Sequence, residues 1–570
     1  MSAPAKSLSQ NRGPDLSEFR KRYPLTVANF GSLANREVWL RGLWETDARW
    51  RELMEREGRD GAREVVVRGV PPASMTVEAE FEIIYAGGTF GLLHAAVMAA
   101  RYNRRVLVFD ERAVGETNRT WNISDEELRE FVRAGLFTNE EIEAVVVNRY
   151  HSGFVKFHDA SSRVKTPPLW MQGVLDVAVD ADKLLSLARK KIEESASGAL
   201  LLGGQSFVRC YAEPHRVTVE IEDARTGRHQ LFAARLFVDA QVNSLVARQL
   251  NDDQEITHIC PTVGTVARGF LRGEEPDKID FGIGEILVSN EDARDHRQLI
   301  WEGFAGSKER DEYATYLFFY DAVNSPADKS LLALFERYFE TLPRYKRAGA
   351  QWRVLKPVFG YVPGSQAYGW TNRQRTSDDR LLLIGDAANL ASPLAFTSFG
   401  AHVRSLKRST HLTDLALSAD LLDASSLSEI NGTEARVAQV ASLAEFMRPT
   451  ERSAPATVNE TLNAVMAALH SLDERVRREL FQDRMSWNAL KNLLSQTVRL
   501  YPRIIERVRE HLGARGAFWW AANIAEAAVS ERRRARAVAS GKEQAGAEEA
   551  AKKFARYARL YKNQHGADIP

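Results

Sequence analysis

The stretch Phe81 to Asp110, FEIIYAGGTFGLLHAAVMAARYNRRVLVFD, decides the fold. Phe81 to Tyr85 is a short apolar, β-branched run of the kind that forms a buried parallel strand. Gly87, Gly88 and Gly91, with Thr89 and Phe90 between them, let the backbone turn sharply and approach a pyrophosphate. Leu92 to Arg101 predicts a helix whose N-terminus points at that anion. Arg105 to Phe109 predicts the next strand, and it closes on Asp110. A carboxylate about twenty residues beyond the last glycine is where an adenosine ribose hydroxyl is gripped. The unit therefore reads as a βαβ dinucleotide cradle. Ala86 stands where the strict G-x-G-x-x-G pattern has its first glycine, so Gly88 and Gly91 alone keep register. The surrounding order of strand, turn, helix, strand and acid carries the reading.

Working outward, 570 residues exceed what one compact core holds and predict two or three domains. A net charge of +1 gives no footprint for nucleic acid. Cys210 and Cys260 have no C-x-x-C spacing, which excludes a disulfide framework and a zinc site; no metal is expected, and a reducing compartment fits. The first residues, MSAPAKSLSQ, lack the charged and apolar regions of a secretory signal. No uninterrupted run of about eighteen apolar residues occurs, so any membrane contact is expected to be peripheral. Residues 1–79 predict an N-terminal helical extension with Trp39, Trp44 and Trp50, ending at Pro71-Pro72. Residues 80–415 form the cofactor-binding domain, with an inserted substrate sheet at about 258–360, and residues 416–570 a C-terminal helical region.

Beyond the cradle, Trp121-Asn122-Ile123-Ser124 precedes an acidic run in which Ser124 and Glu127 make a capping box. A helix is predicted from Asp180 to Ile192, then strands at Arg216 to Ile221 and Leu231 to Val238. The second strand ends Asp239-Ala240-Gln241-Val242-Asn243-Ser244, without the glycine usual there in two-dinucleotide-fold flavoproteins, so it is carried over as topology alone. Strand candidates then follow one another at Thr262 to Phe270, Phe281 to Val288, Gln298 to Phe304 and Thr315 to Tyr320, predicting an antiparallel sheet that floors a substrate pocket. Two acids lie in these apolar strands, Glu302 and Asp321. A carboxyl among aromatics is costly to ionise and can serve as a proton donor near neutral pH; on the outward face of a half-buried strand it would merely be solvated.

The second decisive element is Arg380 to Gly400, RLLLIGDAANLASPLAFTSFG. A buried strand runs into the turn Gly385-Asp386-Ala387-Ala388, and Pro393 and Gly400 frame the entry to a helix near Ala401. In FAD-dependent hydroxylases and geranylgeranyl reductases such a turn sets its aspartate on the ribityl chain, and the helix N-terminus stabilises negative charge on reduced flavin. Past residue 410 the chain is helical throughout, with apolar stripes at Val458, Leu462, Val465, Met466 and Leu469 and at Leu490, Leu493, Leu494 and Val498. Phe518, Trp519 and Trp520 stand before Arg532, Arg533, Arg534 and Arg536. Both a bilayer-interface helix and a packed helix with a solvated basic tail fit that pattern.

With both flavin elements identified, the chain resembles the CruA/CruP-type lycopene cyclases, relatives of geranylgeranyl reductase-like flavoproteins, from about Phe81 to beyond Leu415. The resemblance is carried by Gly87-Gly88-Thr89-Phe90-Gly91, Trp121-Asn122-Ile123-Ser124 and the segment GVLDVAVDADKL at 173–184. Further on it is carried by Trp301-Glu302-Gly303-Phe304, Thr315-Tyr316-Leu317-Phe318, Phe359-Gly360-Tyr361, Gly385-Asp386, Ser392-Pro393-Leu394 and Ser398 to Arg408. Two departures stand out: Thr120 where the family tends to have an acid, and no glycine near Gln241 to Ser244. The F-L-E-E-T motif of plant-type relatives has as its nearest counterpart Phe318-Phe319-Tyr320-Asp321-Ala322, where Asp321 alone keeps an acid.

The resemblance implies an α/β, two-dinucleotide-binding-type FAD fold and a cyclisation of lycopene or a related acyclic carotenoid. It implies noncovalent FAD acting in its reduced form, with NAD(P)H as reductant and Trp121, Asn122, Gly385, Asp386, Pro393 and Gly400 around the flavin. Glu302 is the first candidate acid and Asp321 the second, with Trp301, Phe304 and Phe319 shielding the cation. Peripheral association with the cytoplasmic face of a membrane is expected, or with a plastid membrane in a phototrophic eukaryote. The competing readings are an NAD(P)H-consuming isoprenoid reductase or hydroxylase and a non-catalytic carotenoid-binding paralogue.

Overall fold

The computed structural model describes residues 16–57, 64–117, 120–252, 256–364, 374–389, 397–431, 443–451 and 453–539. The N-terminal segment is helical up to the long helix α1 (Arg36–Glu57), which lies against the later substrate sheet through Trp50 stacked on Tyr361 at 4.9 Å. The same segment also supplies a short edge strand, Val66–Arg68, because the Val65 and Val66 N–H groups donate to the side-chain oxygen of Gln249 while the strand pairs with residues 210–212.

The first half of the main sheet follows the sequence reading closely. Strand β1 (Val77–Ala86) is half exposed where it begins and fully buried where it ends. It leads through the glycine turn into helix α2 (Phe90–Tyr102), which stops at Asn103 in the left-handed conformation (φ 52°), and then into strand β2 (Val106–Asp110). Short strand β3 (Trp121–Ile123) and strand β4 (Ser152–Lys156) come next. The predicted helix forms at Ala181–Glu193 with Asp180 as its N-cap. Strands β5 (Leu200–Gly203), β6 (Gln205–Ala212), β7 (Val217–Asp223) and β8 (His229–Asp239) complete this part. Strands β6, β7 and β8 form an antiparallel meander, and β8 returns to lie parallel to β1.

The inserted region is an antiparallel sheet, as the run of strands without long helices predicts. Its centre is β9 (His258–Phe270), followed by β10 (Ile283–Val288), β11 (Ile300–Ala305) and β12 (Glu312–Phe318). Helix α3 (Leu331–Tyr345) covers one face, and Tyr338 ties it down by hydroxyl bonds of 2.6 Å to both Thr265 and Thr315. The long strand β13 (Ala348–Gly364) pairs with β9 along most of its length. The order is β13-β9-β12-β11-β10-β4, so the sheet borrows β4 from far upstream. The chain then re-enters the main sheet as β14 (Leu381–Leu383), parallel to β8, giving the parallel order β5-β2-β1-β8-β14.

Helix α4 (Ser398–Ala419) packs on the same side of that sheet as α2, where Val403 and Leu406 share a core with Leu93 and Val97. The remaining helices are α5 (Thr457–His470), α6 (Glu474–Phe481), α7 (Trp487–Leu500) and α8 (Ile504–Ala539), the last kinked at Gly513 (φ 68°). Most of both apolar stripes read from the sequence is buried in the core of the inserted sheet, where Leu462, Met466, Leu469, Leu490 and Leu493 join Val155 and Leu287, but Val498 at the end of the second stripe is exposed. No helix among the described residues is long and apolar enough to cross a membrane.

Candidate active site

The cradle is built by close approach. Gly87 adopts φ +109°, and a Cβ on it would lie 3.1 Å from the Ala240 backbone; one on Gly91 would meet the Ala240 methyl at 3.1 Å. The return strand, expected to contribute topology alone, thus walls the glycine turn from the other side, and its end is tied down by Ala240 N–H donating to Ala86 O at 2.9 Å. A Cβ on Gly88 would meet Asp110 Cβ at 3.1 Å and Val114 Cα at 3.2 Å, so this position admits glycine alone without movement. The Asp110 carboxylate accepts from the Gly88 N–H at 2.6 Å and the Arg112 N–H at 2.8 Å. Two of its about four acceptor positions are therefore used, which leaves capacity for a ribose hydroxyl. Thr89 is the N-cap of α2 and makes no side-chain cap bond, which leaves the first-turn N–H groups to a ligand. Constricted glycines, an uncapped helix N-terminus and an anchored acid together fit a dinucleotide.

The second motif arrives at the same place from three hundred residues away. Gly385 has φ +58°, and a Cβ there would sit 2.9 Å from the Phe90 ring, so the two turns interlock. Asp386 is faced by His402 Nε2 at 3.2 Å from α4, and the His402 ring lies 5.1 Å from Phe90. Pro393 falls outside the described residues. Gly400 is in the first turn of α4, where a Cβ would collide with the Glu127 carboxylate. Glu127 closes the predicted capping box with Ser124 and pairs with Arg404. Burial pushes the Glu127 carboxyl upward, and the Arg404 guanidinium offsets part of that rise. Trp121 stacks on Phe399 with ring centroids 4.2 Å apart. The Trp121 to Ser124 element is therefore a strut holding the N-terminus of α4, and it explains the tryptophan that a capping box alone leaves unexplained.

Strand alternation divides the inserted sheet into two faces. Trp301 stacks on Tyr345 of α3 at 4.5 Å and so turns toward the helix, away from the acid beside it in sequence. Glu302 lies on the opposite face, in register with Tyr316 of β12, which in turn is in register with Gly264 of β9. A Cβ on Gly264 would meet the Tyr316 ring at 2.8 Å, so that tyrosine lies over the glycine. Its hydroxyl bonds the Thr120 hydroxyl, one residue before the Trp121 strut. On the same face Phe304 packs against Tyr150 at 5.8 Å, and the Tyr150 hydroxyl donates to Ala305 O at 2.5 Å and lies 3.4 Å from Asn122 Oδ1. The face carrying Glu302 is thus the one joined to the flavin-type domain.

Glu302 is 8% exposed, and its Oε1 has no hydrogen-bond partner. Burial pushes its carboxyl well above the usual carboxylate range and so favours its neutral, protonated form. Asp321, 2% exposed, is arranged differently: Ser325 Oγ and the Ala322 N–H donate to it, and Lys329 Nζ lies 3.2 Å away. Phe319 is fully buried with the Arg297 guanidinium 5.8 Å from its ring. Tyr316 and Tyr150 escaped sequence reading as site residues; both sit in strands or at strand ends, where period-2 alternation assigns a face but not the domain that face meets. Cys210 and Cys260 are buried free thiols, and no group of potential metal ligands occurs among the described residues.

No protein-family model matches the chain, and no curated protein matches it. Solved structures do. The halogenase PltM in complex with phloroglucinol and FAD is 13% identical over 84% of this chain and 98% of that chain, with a TM-score of 0.50. The fold is that of an FAD-dependent flavoprotein. A geranylgeranyl bacteriochlorophyll reductase-like protein from Thermoplasma acidophilum is 12% identical over 76% of this chain and 99% of that chain, with a TM-score of 0.49. The flavin-dependent monooxygenase PieE is 15% identical over 80% of this chain and 72% of that chain, with a TM-score of 0.44.

Proposed function

We propose that the protein is a flavoenzyme that cyclises the ψ-end groups of lycopene or a related acyclic carotenoid to β-rings without net redox change. FAD binds noncovalently in the cradle, and NAD(P)H brings it to its reduced form. The observation that carries the reading is Glu302, a buried carboxyl whose Oε1 has no hydrogen-bond partner among the described residues and whose neutral form burial favours, on the sheet face joined to the flavin-type domain. Protonation of an alkene needs a neutral acid of this kind.

The Glu302 carboxyl gives its proton to the terminal double bond of the substrate. The neighbouring alkene attacks the resulting tertiary cation, one carbon–carbon bond forms and the ring closes. Loss of a proton from the carbon beside the new cation leaves the ring double bond, so one proton enters, one leaves and no electrons are transferred. Phe304, Ile300 and Phe318 share the face with Glu302, exclude water from the cation and keep the acid neutral. Reduced FAD, when bound, supplies negative charge that stabilises a nearby cation. Gly87, Gly88, Gly91 and Asp110 hold its dinucleotide part, and the α4 N-terminus, propped by Trp121 and Glu127, serves its isoalloxazine end.

The test is pigment analysis of a lycopene-accumulating bacterial host expressing the chain beside Glu302→Gln and Asp321→Asn. Conversion to γ- or β-carotene that is lost in Glu302→Gln supports the proposal. Unchanged lycopene with FAD-loaded protein, or hydrogenated or hydroxylated products with stoichiometric NAD(P)H consumption, overturns it.

A further inference from the structure

The C-terminal arm is unlike the rest of the molecule in charge and in what it exposes. Residues 499–539 contain nine arginines against four glutamates, a net of +5 in a chain whose total is +1. Two of those glutamates are engaged within the arm, Glu510 with Arg507 at 2.7 Å and Glu506 with Arg503 at 3.9 Å. Apolar side chains nevertheless stand in solvent along it: Leu500, Ile505, Phe518 (62% exposed) and Val529. Phe518 and Val529 are about three helical turns apart and fall on one side of α8, with exposed Ala521 and Ala525 between them. Arg515 precedes this stripe by about one turn, and the helical register carries positions 532 and 536, both arginine, to its other end. An apolar stripe bracketed by arginines, with Trp519 beside Phe518 at 5.4 Å, has the chemistry of a lipid headgroup boundary.

The other side of the arm closes a small apolar cleft of about 70 Å³ lined by Phe157, Leu287, Met466, Phe481, Leu493 and Trp520. Trp520 reaches it two residues from exposed Phe518, and Ile504 reaches it beside exposed Ile505. The cleft wall and the exposed stripe are therefore continuous along one helix.

We propose that α8 docks the protein on an anionic bilayer surface, with the Phe518–Val529 stripe entering the headgroup boundary, Arg515 pairing with lipid phosphates and the net positive charge of the arm drawing it to anionic lipid. This inference rests on the arm and not on the cyclase reading, and its test needs no turnover. Full-length protein is sedimented with vesicles of phosphatidylcholine alone or mixed with phosphatidylglycerol. Binding to the anionic vesicles is expected to exceed binding to the neutral ones about tenfold and to weaken with added salt. The double variant Phe518→Ser/Val529→Ser and the single variant Arg515→Glu are each expected to lose most of it while keeping the wild-type melting temperature, since these side chains are exposed. Equal binding to neutral vesicles, binding unchanged in both variants, or no binding overturns the proposal. So does a dimer on a sizing column that Phe518→Ser/Val529→Ser dissociates, in protein that ignores vesicles; a second copy then covers the stripe.

Discussion

Two regions of the molecule each bury a carboxyl, and they treat it in opposite ways. At the end of β8, Asp239 is fully buried but accepts from Ser244 Oγ at 2.6 Å and from the Gln241 N–H at 2.9 Å; burial raises it to about 6, with both bonds working against the rise. In the middle of β11, Glu302 is nearly as buried, has an oxygen with no partner and is raised well above the carboxylate range by burial alone. The first arrangement fixes a strand end and the turn after it. The second stores unfavourable solvation at Oε1 that no hydrogen bond among the described residues relieves, and natural proteins retain such groups where a ligand uses them. The contrast fits Asp239 as architecture and Glu302 as the acid of the proposed reaction.

The largest expected effect tests that assignment directly. Glu302→Gln keeps the shape and removes the proton, so the rate of cyclisation should fall about 10²- to 10⁴-fold, measured as product per FAD-loaded enzyme. An active Glu302→Gln would move the acid elsewhere and dissolve the contrast with Asp239. Next comes the cradle: in Gly88→Val the added carbons must displace Asp110 or Val114, 3.1 and 3.2 Å from the first of them. Flavin content of the purified protein should drop more than about tenfold while far-ultraviolet circular dichroism is retained, because the loss falls on a ligand contact and not on the sheet.

Asp321 sharpens the comparison from a third position. It is as buried as Glu302 in effect, yet it faces Lys329, whose side chain is 12% exposed. Asp321→Asn leaves that ammonium without its counter-charge, and removing one member of a buried pair costs about 3 kcal/mol. A lower urea midpoint with an unchanged pigment product is expected. A lost product in protein of wild-type stability would instead make Asp321 the donor.

Much of this was legible in the sequence because it is local. The strand, glycine turn, helix and acid of 81–110 specify one another over a few turns, as do Asp180 at its helix and Ser124 with Glu127, and each stands where its spacing puts it. Glu302 was visible as an acid in an aromatic strand. Which neighbour served which face was not visible. Trp301 and Glu302 are adjacent in sequence but point to opposite sides of β11, one onto Tyr345 and one toward the flavin-type domain. Tyr316 acquires its importance from Thr120, nearly two hundred residues upstream, and Gly385 from Phe90. Such contacts are decided by how layers stack, and no periodicity within a strand records them.

The smallest effect is also the one that tests Glu302 without substrate. In the unfolded chain a glutamate titrates near about 4.3, whereas burial holds the folded Glu302 proton to higher pH. Below about pH 4 both states keep the proton and the group contributes no pH dependence. Above it the unfolded state releases its proton first, so it binds fewer protons than the native state, and stability falls as pH rises. The slope is about 1.4 kcal/mol per pH unit until the folded acid also ionises. Gln carries no such proton. The stability difference between Glu302→Gln and wild type, taken from urea unfolding at several pH values, should therefore grow in favour of the variant as pH rises from about 5 toward 7. A flat difference would mean that the folded carboxyl ionises as easily as the unfolded one, and the proton donor assigned to β11 would lose its physical basis.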